Sequence, residues 1–500
     1  MTVERDWPFG VILLGCLVLA FVVQNNLFIH ADVSYLMHVS QMLLAGGRYG
    51  FEFFETNPPM ILYLSMPPLW LADISGMPLD TCFRLYVLTL AALSLSTSFY
   101  LIGKIITNRF IHYFITCIVM FVILFLPSNQ FGQREHIYLI LITPYVFASA
   151  CALTKIKIDL RLSLLVGVAA GLGFCMKPYF LLPLILIESY FIYYYRRLFG
   201  WVRLETITIL SILMIYLVTS FLFLPTYFTI IMPLVNQFYF IGITQPWSVI
   251  LPSPHVIYAL VITFASLFYL KHTHYPMLLI VLILASLGAN LAFLATHTMW
   301  FYHTLPAVGF AAILISLITA EATSPVTFRA SAPFIVTSFF ILYFPLQFTW
   351  FLSFSHALKE ENKSKQTLIR LLAAQPGNHS VMCFSASTIA DCFPLVTLTN
   401  SAYASRYPFF WWMRGALKLG DDTHAQPAIN QLISSVADDL NHYRSRWIII
   451  NKTTMRNQFG ENFSFLTFFS LNQQFKQAIS AYRYWQSTGD YDIYERSQEK

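Results

Sequence analysis

Long apolar runs, separated by short polar loops, make up most of the first 350 residues. The runs long enough to be predicted as membrane-spanning helices cover residues 8–29, 82–103, 110–127, 137–154, 162–176, 179–195, 204–226, 255–270, 276–296, 304–320 and 332–352. Lys177-Pro178 divides the apolar block 162–195, which favours a helical hairpin because proline interrupts a helix interior. The pattern therefore predicts a polytopic α-helical membrane protein with about eleven spans.

The composition agrees with this class of protein. Hydrophobic residues make up 57% of the 500 residues and charged residues only 11%, which excludes a water-soluble globule. The formal net charge of +6 does not indicate nucleic-acid binding, because the basic residues lie in short loops between apolar runs.

The basic residues predict the topology. Lys and Arg concentrate in every second loop, at residues 104–109, 155–161, 196–203, 271 and 329, and positive loops face the cytoplasm. We therefore expect a cytoplasmic N-terminus, with the first run as an uncleaved anchor, and an extracytoplasmic C-terminal part.

The composition changes after residue 353. Residues 355–375 predict a charged helix, residues 380–384 and 447–450 predict buried strands, and residues 427–443 predict a helix. We expect two domains, a transmembrane domain over 1–353 and a small extracytoplasmic α/β domain over 354–500. Whether Cys383 and Cys392 in the second domain form a disulfide is left open.

The first outer loop follows the first span and carries the acids of greatest interest. Residues 33–45 have helical apolar spacing, which predicts an interfacial helix with one face in lipid. Asp32 either caps this helix or acts as a general base towards an acceptor hydroxyl. Glu55 either binds the acceptor or solubilises the loop, and Glu52 is interpreted as a solubiliser. Arg48 is a supporting cation in the same loop.

A second outer loop contains residues 132–136, GQREH, directly before an apolar run. Arg134 is suited to bind a phosphate with two hydrogen bonds, Glu135 to pair with a cation, and His136 to donate to an anion. The alternative is an arginine that only extends to the interface, although positive charge is disfavoured on the outer side.

Two further outer loops carry a cation and hydrogen-bond donors. Lys177 is a lone cation at the tip of the predicted hairpin, while Tyr302 and His303 precede a late span. Tyr302 and His303 either belong to an interfacial aromatic belt or donate hydrogen bonds to a headgroup. Together the four loops indicate a site for an anionic lipid headgroup at the outer leaflet.

These landmarks resemble the GT-C superfamily of glycosyltransferases, in the branch with protein O-mannosyltransferases and the aminoarabinose transferases of lipid A. The resemblance covers most of residues 8–320, and a later segment, 393–411, is similar to the outer domain of some bacterial members. The residues that carry it are Asp32, Gly46-Gly47, Tyr49, Phe54-Glu55, Pro58-Pro59, Arg84, the GQREH loop, Lys177-Pro178 and the YHxxP motif at 302–306.

The resemblance implies a GT-C-like bundle with interfacial helices in the first outer loop, in a bacterial inner membrane. It implies inverting transfer of a sugar from a polyprenyl-phosphate donor to a glycan, lipid or protein acceptor. Asp32 would be the base and Glu55 an acid near the acceptor. The phosphate of the donor would be bound by Arg134, Lys177, Tyr302 and His303. Glu135, His136 and Arg48 would be supporting residues of the site.

The chain departs from the family at two positions. Val33 stands where the family often has an acid after Asp32, and Asn57 stands where a lysine often precedes the prolines. The second change removes one phosphate contact. No DxD motif occurs in the second outer loop, so metal dependence is not indicated, although a divalent cation is left open.

Two competing functions remain. A transporter or flippase of lipid-linked glycans predicts charges within the spans and an inverted repeat, and neither is evident in the sequence. A non-catalytic assembly subunit predicts that Asp32→Asn leaves sugar transfer unchanged.

Overall fold

The computed structural model describes residues 7–323, 363, 365–375, 379–386, 389–452 and 459–497. The predicted span 332–352, Arg329 and the first part of the predicted helix 355–375 lie outside the described residues.

Each predicted apolar run up to residue 320 coincides with a helix. The helices are α1 Trp7–Asn25, α2 Ala31–Leu44, α3 Met60–Leu64, α4 Met66–Ser75, α5 Leu79–Ile105, α6 Arg109–Leu124, α7 Arg134–Leu153, α8 Leu160–Phe174, α9 Leu181–Tyr195, α10 Leu204–Phe223, α11 Met232–Leu234, α12 Phe240–Ile243, α13 Trp247–Ile250, α14 Pro254–Tyr269, α15 Pro276–Ala295 and α16 Phe301–Thr323. Of these, α1, α5, α7, α10, α15 and α16 are long and apolar enough to cross a membrane.

Short polar segments begin and end these helices. The Asn108 side chain accepts hydrogen bonds from two backbone amides at the start of α6, and the Asp159 side chain accepts one at the start of α8. The predicted hairpin is confirmed, because α8 ends at Phe174 and a single 3-10 turn, Pro178–Phe180, precedes α9.

The described helices divide between two compact units. The first unit comprises Met1–Phe28, Asn57–Ser220 and Gln245–Thr349. Its core is formed by α7 and α16, whose most apolar stretches are 94% buried within the protein. The first turns of α7 and α16 carry Arg134, Glu135, Tyr302 and His303.

The second unit combines the first outer loop with later segments. It comprises Ile29–Thr56, Phe221–Thr244 and Trp350–Lys500. In its middle segment, two π-helical turns, Tyr227–Ile231 and Val235–Tyr239, flank α11. The division of the chain at residue 353 stays a prediction.

Helix α2 packs against the C-terminal part of the second unit. The Tyr35 and Phe393 ring centroids lie 5.2 Å apart, and the Ser34 and Thr397 hydroxyls lie 2.5 Å apart. Val33, Tyr35 and Met37 are buried. The apolar face of α2 was expected to lie in lipid, and this expectation is wrong because protein side chains cover it.

The C-terminal part contains a five-stranded sheet. Its strands are β1 Ser380–Phe384, β2 Ala402–Tyr403, β3 Trp447–Asn451, β4 Tyr482–Thr488 and β5 Tyr491–Arg496, in the order β2-β1-β3-β5-β4. β1 pairs in parallel with β2 and β3, while β5 is antiparallel to β3 and β4. The helices around it are Leu395–Leu398, Met413–Lys418, Gln426–Tyr443, Phe465–Phe469 and Gln473–Ile479. Cys383 on β1 and Cys392 form a disulfide.

Candidate functional site

The first unit contains a group of charged and polar side chains, here called the anion cluster: Arg134, Glu135, Lys177 and His303, which are buried, and the half-buried Tyr302. Lys177 Nζ donates a hydrogen bond of 2.6 Å to Glu135 Oε1. His303 Nε2 lies 3.4 Å from the same oxygen. The Arg134 guanidinium carbon lies 5.7 Å from the centroid of the Tyr302 ring. Four residues that the sequence placed near a donor phosphate, together with Glu135, are therefore neighbours.

The loop before α7 has a tightly determined conformation. Gly132 has φ +78°, and a Cβ at this position would lie 2.3 Å from the Phe83 ring. The Gly132 amide donates to His136 Nδ1 at 2.9 Å, and His136 Nε2 lies 2.7 Å from the Ile123 carbonyl oxygen. Both ring nitrogens of His136 therefore bind backbone, so this histidine holds the loop and has no donor left for an anion.

The electrostatics of the anion cluster favour a negatively charged ligand. Arg134 and Lys177 bring two positive charges and Glu135 brings one negative charge, and all three side chains are buried. The amino ends of α7 and α16 add the positive ends of their helix dipoles. Among the described residues, Glu135 Oε2 has no hydrogen-bond partner. Because the site is shielded from water, a phosphate group would interact strongly with these cations.

His303 is oriented by a residue that was not predicted from the sequence. Its Nδ1 lies 2.7 Å from the Thr298 hydroxyl, which in turn lies 2.9 Å from the Thr296 hydroxyl. These contacts turn Nε2 towards Glu135. The pattern Thr-x-Thr at residues 296–298, one residue before the aromatic stretch 300–303, was the available signal in the sequence.

The second unit holds the acids of the first outer loop. Helix α2 begins at Ala31, and the Asp32 amide donates to the His30 ring at 3.2 Å. His30 is therefore the residue that caps α2, whereas Asp32 lies in its first turn. This arrangement weakens the interpretation of Asp32 as a helix cap and leaves its role as a base a prediction.

Glu55 is buried, with only 4% of its surface exposed. Burial, reinforced by the negative charge of Glu55 and by Tyr403, raises the pKa of Tyr35 well above its ordinary value. Tyr35 thus keeps its proton, and its hydroxyl has no hydrogen-bond partner within the described part of the chain. The neutral phenol of Tyr35 is therefore close enough to Glu55 to sense its charge, and Tyr35 was not among the site residues predicted from the sequence.

Arg48 and Glu52 have a different environment. Their side chains form an ion pair of 3.3 Å with 66% and 40% of their surfaces exposed. An exposed pair of this kind contributes little to stability or to binding. The geometry agrees with the interpretation of Glu52 as a loop solubiliser and places Arg48 at the surface of the second unit.

Within the described ranges, no group of three or more His, Cys, Asp or Glu side chains has the arrangement of a metal site.

Similar solved structures include two of ArnT. No protein-family model matches the chain, and no curated protein sequence matches it. ArnT from Cupriavidus metallidurans, bound to undecaprenyl phosphate, superposes with a TM-score of 0.60 at 11% identity, with 98% of each chain covered. The apo form of the same ArnT superposes with the same TM-score, identity and coverage.

At this identity the likeness establishes the fold alone. The chain has the fold of ArnT over nearly its whole length, so the predicted helical membrane bundle with a small C-terminal α/β part is confirmed. The chain is an integral membrane protein.

Proposed function

We propose that this protein is an inverting glycosyltransferase that moves a sugar from a polyprenyl-phosphate donor to an acceptor at the outer face of a bacterial inner membrane. The observation that carries the proposal is the anion cluster, in which Lys177 and Glu135 are joined at 2.6 Å beside Arg134 and His303. The ArnT of the same fold was crystallised with undecaprenyl phosphate, which is a polyprenyl phosphate like the one that the proposed donor would release.

The anion cluster supports departure of the phosphate. As the bond between the sugar and the phosphate oxygen breaks, negative charge grows on the leaving phosphate. Arg134 and Lys177 stabilise that charge most in the transition state, which lowers the barrier. Tyr302 and His303 add donors that orient the phosphate.

The first outer loop supports activation of the acceptor. Asp32 removes the proton from the acceptor hydroxyl as its oxygen attacks the sugar carbon from the face opposite the phosphate. The leaving phosphate takes the electron pair of the broken bond. Glu55, with the neutral Tyr35 beside it, binds the acceptor. The acceptor is a glycan, a lipid or a protein.

The catalytic role of Asp32 is tested with purified protein and sugar-labelled polyprenyl-phosphate donors. Asp32→Asn should lower kcat by roughly 10²- to 10⁴-fold, the usual contribution of a general base. Glu52→Gln is the matched control, because Glu52 is an exposed acid in the same loop and its replacement should leave kcat unchanged.

The outcomes separate the competing functions. Equal transfer by native protein and Asp32→Asn would remove the base role from Asp32. A non-catalytic subunit would release no labelled product in either form. A transporter or flippase would move the intact donor between leaflets without releasing polyprenyl phosphate.

A further inference from the structure

The position of Glu55 depends on residues near the other end of the chain. The Phe54 amide donates a hydrogen bond of 2.8 Å to the Arg406 carbonyl oxygen. The Phe54 ring centroid also lies 4.7 Å from that of Tyr407. Since Phe54 precedes Glu55 directly, both contacts restrict where the Glu55 backbone can lie.

The Arg406 segment is held in turn by one buried carboxylate. Asp439, on the helix Gln426–Tyr443, is fully buried. Its Oδ2 accepts from the Ser405 hydroxyl at 3.0 Å and from the Arg406 amide at 2.9 Å. Its Oδ1 accepts from Arg406 Nε at 2.8 Å. Three donors, one of them charged, thus satisfy a carboxylate that would be costly to bury alone.

Neighbouring hydroxyls add further hydrogen bonds to the same segment. The Tyr403 hydroxyl donates to the Tyr407 carbonyl oxygen at 2.5 Å, and the Tyr407 and Ser435 hydroxyls lie 2.7 Å apart. The segment 403–408 is therefore tied both to itself and to the helix that carries Asp439. Displacement of Asp439 would therefore move Arg406, which it binds, and with it the carbonyl oxygen that accepts from the Phe54 amide.

We infer that Asp439 is a positioning residue for Glu55, acting through Arg406 and Phe54. In this role the C-terminal part of the second unit holds the acidic first outer loop in its working geometry. The inference rests on the proposed function for any effect on catalysis, but the structural link itself can be measured without an activity.

Removal of the negative charge of Asp439 should loosen the Arg406 segment. Asp439→Asn leaves the Arg406 guanidinium without its counter-charge and weakens two further hydrogen bonds, so the Arg406 carbonyl is held less firmly. A displacement of about 1 Å at a reacting group can cost a hundredfold in rate. Because the anion cluster belongs to the first unit, donor binding should change much less than kcat.

Hydrogen exchange of the full-length protein tests the structural link. Asp439→Asn should accelerate amide exchange in the peptide that contains Phe54 and Glu55 by roughly tenfold or more, because the Phe54 amide loses a firm acceptor. Glu495→Gln is the matched control, since it removes an acid on β5 that is paired with Arg446 and Arg483. Unchanged exchange at Phe54 in Asp439→Asn, or equal acceleration in Glu495→Gln, would overturn the inference.

A double-variant cycle tests the catalytic consequence. Asp439→Asn should lower kcat roughly ten- to hundredfold, with the donor KM changed less than about twofold. In a Glu55→Gln background the same substitution should have almost no further effect, because the group it positions is already lost. Independent, multiplicative effects would show that Asp439 does not act through Glu55 and would overturn the inference.

Ser405→Ala provides a milder variant if Asp439→Asn does not fold. It removes one of the three donors to Asp439, so exchange at Phe54 and kcat should change in the same directions by smaller factors. Absence of sugar transfer by the native protein would contradict the proposed function, whereas the exchange experiment would still decide the role of Asp439.

Discussion

At the scale of single residues, the pairing of Lys177 with Glu135 determines what the anion cluster can do. Both side chains are nearly removed from water, with 6% and 1% of their surfaces exposed. A buried ion pair stabilises the folded protein little more than apolar residues would, but loss of one partner leaves the other charge buried and unpaired. In the proposed function, the role of such a pair is to bind the donor phosphate rather than to add stability.

Exchange of this pair for apolar or neutral residues should separate stability from function. Lys177→Met leaves Glu135 without its ammonium partner and should lower the free energy of unfolding by about 3–5 kcal/mol. Adding Glu135→Gln should restore much of that loss, because the stranded charge is gone. Sugar transfer should stay abolished in both variants.

Thermal unfolding in detergent and the transfer assay measure the two effects on the same samples. Full activity in the double variant would exclude a role for the pair in binding the donor phosphate.

His38 makes the stability of the folded protein depend on pH. Burial against Phe393 and Tyr403 lowers the pKa of His38 from 6.5 to about 4. In the unfolded chain His38 becomes protonated below about pH 6.5, whereas in the folded protein it stays neutral until about pH 4. Stability is therefore fully present above pH 6.5 and falls as the pH drops towards 4.

The side chain is partly exposed, so the loss should be at most about 3 kcal/mol. His38→Leu should flatten this decline when unfolding is followed between about pH 7 and pH 4.5. His272→Gln, which changes an exposed histidine, should leave the decline as it is in the native protein. An unaltered decline in His38→Leu would contradict the prediction.

At the scale of elements, the sequence was most informative where a pattern is local. The apolar runs predicted the positions of the long helices, and Lys177-Pro178 predicted the turn between α8 and α9. The apolar stretches at 380–384 and 447–450 predicted β1 and β3. Strands β4 and β5 were not predicted, because their mixed polar composition resembles a surface loop. Amphipathic spacing in α2 correctly indicated a buried face, but spacing alone does not say that protein rather than lipid covers it.

Close packing of α9 against α15 gives an element-scale prediction. A Cβ on Gly288 would lie 2.5 Å from the backbone of Pro183. Gly288→Ala must therefore push α15 away from α9, at a cost of about 1–3 kcal/mol. Thermal unfolding in detergent measures this cost.

Gly15→Ala in α1 is the control, because among the described residues no atom lies within 4 Å of a Cβ there. It should be neutral or slightly stabilising, since alanine favours a helix more than glycine does. Equal unfolding temperatures for both variants would contradict the close approach.

At the scale of the whole molecule, the fold was predictable but the partners of each site residue were not. The order of spans and the landmarks of the outer loops were sufficient for the fold class. The link between Glu135 and His303, and the link between Phe54 and Arg406, join residues far apart in sequence, and no local pattern encodes such pairs.

The orientation of the chain in the membrane is a whole-molecule prediction. Because basic residues concentrate in every second loop, reporter fusions should place the N-terminus in the cytoplasm and residue 500 outside. Two ends on the same side would contradict this topology and the outer-face location of the reaction.

The most direct measurement is sugar transfer by the purified full-length protein in lipid vesicles with a labelled polyprenyl-phosphate sugar and membrane acceptors. We predict that label enters the acceptor with inverted configuration while an equal amount of free polyprenyl phosphate appears. Failure to transfer sugar from any polyprenyl-phosphate donor, with the donor recovered intact, would contradict the proposed function.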